Sequence, residues 1–265
     1  MIGFKNKISY VKMSFNKLPS QERMKKNLDG MFWDSGEEFE LPNIGDPIKA
    51  SRIFLSNLTP FTWNSLSTLE DNPATLPQTA TILAGQSVGG LSIDDLMQVK
   101  HFSDGSKILA KLIRDNNFKL DIDTACMIHS YVGKEEALDW GVLRYSNVTI
   151  QGTEYLPPNP EELPALMKSG FAFLGEEIDN PIERAIAVFL FMSRSQFFFD
   201  ANKRTSTLMM NGILLSNGYY PLTVLKKDAE QFYAKLSRFY ESGNATDMFA
   251  YFANLAKTTY QGRLK

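Results

Sequence analysis

Cysteine is almost missing from this sequence: Cys126 stands alone among 265 residues, so no disulfide can form within the chain. It lies in an apolar helical pattern, where a single thiol reads as a small buried hydrophobe, and a reducing, cytoplasmic setting is the expectation. Histidine is nearly as scarce. His101 and His129 are the only two, and without paired Cys/His spacing a structural zinc site is excluded. Each of the two reads as a packed or capping side chain. Charge of one sign is lacking as well: 28 basic and 30 acidic residues are scattered along the chain, so no basic stripe argues for nucleic acid as partner. Long apolar runs are also missing. The strongest, Ala185 to Met192, is far shorter than the roughly 18 residues a spanning helix needs, which argues against membrane insertion. Met1 to Lys17 sets Lys5, Lys7, Lys12 and Lys17 among isolated aromatics, without the apolar core or cleavage site of a signal peptide. What remains is 43% hydrophobic residues, enough for a sizeable core in one large domain or a domain with an added module.

Turn signals dominate Pro19 to Pro77 (Asp29-Gly30, Ser35-Gly36, Gly45-Asp46-Pro47, Asn72-Pro73), so residues 1–75 read as an extension of short helices and loops. Helical spacing then begins. Leu76 to Leu83 carries Pro77 in its first turn and stops at Gly85; Ser92 starts another helix that Gly105 should interrupt; Asp121 or Asp123 caps a third through Val132. Between Gly141 and Pro158 the pattern changes to short β-like runs, Val148-Thr149-Ile150 and Glu154-Tyr155-Leu156, around Gln151-Gly152-Thr153, which reads as a hairpin. Helices return over Glu161–Leu174, the nearly all-apolar Ile182–Met192, Arg204–Leu215, Ala229–Tyr240 and Thr246–Ala256. The fold class is therefore mainly α, with one small hairpin.

The chemistry concentrates in Asp200-Ala201-Asn202-Lys203-Arg204-Thr205, between the apolar helix and the start of the next. Free backbone N–H groups and the positive end of a helix dipole favour an anion there. Lys203 and Arg204 add charge, Asn202 an amide donor, and Asp200 an oxygen of the kind Mg²⁺ takes beside phosphate oxygens. The same six residues could equally be a helix cap with two solvated cations.

The ordered set Gln196-Phe197-Phe198-Phe199-Asp200-Ala201-Asn202-Lys203-Arg204 resembles the motif His-Pro-Phe-x-Asp/Glu-Gly-Asn-Gly/Lys-Arg of the Fic (Fido-domain) family, with Phe198, Asp200, Asn202 and Arg204 in register. Gly141-Val142-Leu143-Arg144, the hairpin and Tyr155-Leu156-Pro157-Pro158 resemble the family's glycine-x-x-arginine and target-binding flap. The resemblance covers about Asp121 to Tyr240 and implies a Fic-fold helical bundle over residues 76–265. It implies transfer of AMP from ATP to a hydroxyl side chain of a protein, with Mg²⁺ at Asp200. Phe198, Asp200, Ala201, Asn202, Lys203 and Arg204 would bind the nucleotide. The flap residues Thr149, Ile150, Gln151, Gly152 and Thr153 would hold an extended target by strand addition. A homodimer is left open.

Three departures qualify that expectation. Gln196 replaces the His that would accept the hydroxyl's proton, and a carboxamide has no suitable pKa. Thr207 replaces a second motif Arg, which brings the segment closer to the Asp-Ala-Asn-Lys-Arg-Thr of Doc-type phosphotransferases. Ala84, in a helix over 77–85 similar to the family's inhibitory Ser/Thr-x-x-x-Glu-Gly helix, stands at the Glu that pairs with that Arg. A weak AMP-transferase, a catalytically silent regulator or toxin–antitoxin-like partner, and a Doc-like phosphotransferase all fit. Glu135, Glu136 and Glu154 read as a solvated acidic face, and Phe197-Phe198-Phe199 as core packing with one ring free for a nucleotide.

Overall fold

The computed structural model describes residues 25–28, 30–34 and 36–261. The signal-peptide reading of Met1 to Lys17 lies outside them, as do Asp29 and Ser35 of the turn signals. A two-stranded antiparallel ladder, β1 (Lys25–Leu28) and β2 (Met31–Asp34), precedes ten helices among the described residues. These are α1 (Pro47–Ser56), α2 (Leu58–Leu69), α3 (Leu76–Leu83), α4 (Ile93–Arg114), α5 (Ile122–Val132), α6 (Leu163–Glu177), α7 (Pro181–Ser195), α8 (Asn202–Ser216), α9 (Ala229–Ser242) and α10 (Thr246–Thr259). The mainly helical expectation holds.

Local signals set the helix starts. Ser92 Oγ accepts from Asp95 N (3.0 Å) and Asp121 Oδ1 from Thr124 N (2.8 Å), satisfying N–H groups the helices leave unpaired. The centre is α7 packed along α8, with Ala185 to Met192 and Leu208 to Leu215 almost wholly buried. Asn211, the polar exception in that stretch, is satisfied by bridging Leu222 O and N at 2.9 and 2.8 Å.

Three expectations change. Gly105 does not interrupt α4: the helix runs through it, and a Cβ there would stand 2.5 Å from Val132 Cγ1. The glycine is a contact surface that lets α4 and α5 approach. The region before residue 75 is not all short helices and loops, because β2 pairs with the chain near Gly243: Phe32 N donates to Gly243 O (2.9 Å) and Ala245 N to Phe32 O (2.8 Å). Trp33 stacks on Phe249 at 5.1 Å and donates Nε1 to Glu183 Oε1 (2.9 Å), so this segment shares the core. The two runs of the expected hairpin form no ladder. A turn does fall at Gln151-Gly152, yet the flanking residues form no strand, as a hairpin without a third strand behind it readily does.

Candidate active site

The segment between α7 and α8 is bracketed by two residues in the left-handed region, Gln196 (φ 48°, ψ 63°) and Ala201 (φ 55°, ψ 20°). Asn202 closes the turn between them. Its Oδ1 accepts from Phe198 N (2.9 Å), while Nδ2 donates to Phe198 O (2.8 Å) and to Gln196 Oε1 (2.9 Å). Every polar group of this amide is thus engaged inside the loop, and its first duty is to shape the loop. Gln196 is held from both ends, since its Nε2 also donates to Ser193 O (2.6 Å).

His129 supports the loop from below. Its ring lies on Phe198 at 3.9 Å, Gly141 N donates to Nδ1 (2.9 Å), and Nε2 therefore carries the proton toward Asp200 O (3.2 Å). Burial pushes its pKa down to about 4, against the pull of the Asp200 carbonyl, so the ring is neutral near pH 7. This is the packed histidine of the sequence reading, with a definite task. It is not a substitute base.

Above the loop lies a cavity of about 550 Å³. Its polar floor is Gln196, Asp200, Asn202 and Lys203, with Phe199 beside them; Thr149, Ile150, Gln151 and Thr153 of the flap form one wall. Tyr233, Leu236, Ser237 and Tyr240 of α9 form a second, and Leu69, Glu70 and Asp71 at the end of α2 a third. Asp200 keeps an open face (its side chain is 55% exposed), although Oδ1 also accepts from Ala201 N. Lys203 Nζ stands 5.9 Å over the Tyr233 ring.

Several expected site residues sit elsewhere. Phe198 and Ala201 are buried under the loop and do not line the cavity; Phe199 is the ring that does. Gly152 is at the flap's outer turn, away from the lining. Arg204 is wholly buried: Nη1 donates to Glu136 Oε1 (2.8 Å) and Val132 O (3.0 Å), Nη2 lies 3.6 Å from Asp200, and Nε meets Glu70 Oε1 at 3.3 Å as a charge contact rather than an aligned hydrogen bond. Burial works against its charge, yet Glu70, Glu136 and Asp200 outweigh that and hold it firmly protonated. Glu136, which also accepts from Gln98 Nε2 (3.0 Å), is therefore an interior partner and not part of a solvated acidic face. Thr207 is buried and bonds back to Lys203 O (2.9 Å). Ala84 is the C-cap of α3 and takes no part in the cavity, whereas Glu70, passed over in the sequence, reaches both the cavity and Arg204.

Residues 119–214 match the family model described as the Fic/DOC family. Over those residues the chain is similar to the Fic/DOC family. Protein adenylyltransferase Fic of Aedes aegypti is 29% identical over 171 residues, covering 62% of this chain and 34% of that protein. The chain thus spans about a third of the length of this curated relative. Among solved structures, Fic-1 (residues 134–508) from C. elegans superposes with a TM-score of 0.69 at 21% identity, covering 82% of this chain and 70% of the other. A Fic domain containing signaling protein from Bacteroides thetaiotaomicron gives 0.67 at 21% identity over 84% and 91%. These likenesses carry the fold. The matched segment holds α5, the flap, α6, α7, the loop and most of α8, but leaves out Glu70 and the α9 wall.

Proposed function

We propose that the chain transfers AMP from ATP to a Ser, Thr or Tyr hydroxyl of a protein target, slowly because no side chain at Gln196 can take the proton. The observation that carries this reading is the cavity's division: a polar floor at the start of α8 faces apolar side chains of Leu69, Ile150, Leu236 and the α9 tyrosines, a shape suited to a nucleoside with its phosphates. Asp200 fits a magnesium role, as one half-open carboxylate is the usual protein share of such a site. Mg²⁺ held there with phosphate oxygens would offset their charge. The hydroxyl oxygen would bond to the α-phosphorus, the bond to the bridging oxygen would break, pyrophosphate would leave, and the hydroxyl proton would pass to water. Loop amides and Lys203 would supply electrostatic stabilisation. The flap would lie along an extended target segment by strand addition.

Incubation with Mg²⁺ and ATP labelled on the α-phosphate tests it: protein-bound label is expected, and γ-label alone would transfer the case to the Doc-like phosphotransferase, favoured by Asp200-Ala201-Asn202-Lys203-Arg204. Nucleotide binding without either product would leave the silent regulator, the reading supported by the way Asn202 and Ser193 occupy both ends of the Gln196 amide.

A further inference from the structure

Arg144 is a large, almost fully buried side chain whose charge meets carbonyl oxygens and, among the described residues, no carboxylate within ion-pair range. Its Nε donates to Gln196 O (2.6 Å), Nη1 to Ser146 O (2.8 Å) and Nη2 to Pro158 O, while its own backbone N donates to Phe197 O (3.0 Å). Ser146 and Pro158 are the two ends of the flap segment; Gln196 is the left-handed residue at the cavity floor. Among the described residues no ladder joins the flap's two runs, so pairing of one run with the other does not set where the flap stands.

We propose that Arg144 is the positioning residue of this site: one planar guanidinium gathers both ends of the flap and fixes them to the peptide of Gln196. The rigid fork of arginine can satisfy three carbonyls in fixed directions; an ammonium on a flexible stem cannot hold all three. Through this clamp Thr149, Ile150, Gln151 and Thr153 keep their place along the cavity wall, and the floor and the flap share one reference point. The kinetic consequence rests on the AMP-transfer reading; the mechanical one does not.

A nitroxide on Gln151→Cys reads the flap directly, because Cys126 is partly buried with its thiol pushed up to about 11 and stays unlabelled near neutral pH. A second label on Lys168→Cys, exposed on α6, serves as control. Arg144→Lys and Arg144→Met should shorten the rotational correlation time of the flap label by roughly threefold or more and leave that of the α6 label unchanged. In the unlabelled variants the KM for the protein target should rise about tenfold while that for ATP stays within about twofold. Unchanged motion of the flap label in a folded variant overturns the clamp, and so does equal loosening at both labels, which is what a merely structural arginine gives. If no variant or parent transfers label from ATP, the AMP-transfer reading fails while the nitroxide result still decides the clamp.

Discussion

Substituting histidine for Gln196 puts a titratable nitrogen where the resemblance expects one, and the structure lets both the gain and the cost be bounded. A well-placed general base is worth ~10²–10⁴ in rate, or about 2.7–5.5 kcal/mol of barrier. Against it stand the two bonds the Gln196 amide gives up, to Ser193 O and from Asn202 Nδ2. Asn202 keeps its bonds to both the N–H and the carbonyl of Phe198, so the loop stays closed and the stability loss should be about 1–2 kcal/mol. The left-handed backbone at φ 48° suits histidine better than most residues. Gln196→His is therefore expected to raise incorporation of α-label by at least about a hundredfold over the parent chain. The assay pairs that rate with ATP affinity from calorimetry. A variant that is folded, binds Mg·ATP as the parent does and shows no gain refutes the idea that only the base is wanting.

Glu70 brings a carboxylate to the cavity beside Arg204, so Glu70→Gln should tighten Mg·ATP binding by about tenfold, Arg204 remaining paired through Glu136; equal or weaker binding by calorimetry would count against it. Ala201 pays the left-handed penalty of a residue with a Cβ, and Ala201→Gly should stabilise the fold by about 0.5–1 kcal/mol, seen as a higher urea midpoint, with a lower midpoint contradicting the strain. His129 has a folded pKa near 4, below the unfolded value of 6.5, so the unfolded chain binds the extra proton as pH falls. Its contribution is complete above pH 6.5 and declines toward pH 4; by pH 5 about 2 kcal/mol should be gone, a slope that urea titrations should find missing in His129→Gln.

Helices were legible wherever the signal was local. Ser92, Asp121 and Pro77 act within one turn of their own residue, and the apolar run over Ala185 to Met192 announces a central helix by itself. Gly105 misleads because its meaning is tertiary, the room it leaves for Val132. The same division runs through the site. Asp200, Asn202 and Lys203 sit together in sequence and line one floor, but Arg204, one residue on, turns inward because Glu136 and Glu70 wait there from distant stretches. Nothing in the neighbourhood of Glu70 names that partner. Its signal, an acidic pair ending an apolar helix, is visible only once Ala84 is found outside the cavity. The flap's composition speaks of β structure, and composition cannot say that no third strand lies behind it.

The cavity's walls come from stretches as far apart as Leu69 and Tyr240, with Trp33 bracing α7 through Glu183. A fragment cut to residues 119–214 would carry the recognisable sequence and lack both the α2 and the α9 sides. For anyone recombining such proteins, the portable unit is larger than the signature: the letters that identify the site make up its floor, and the room above it is inherited from the rest of the chain.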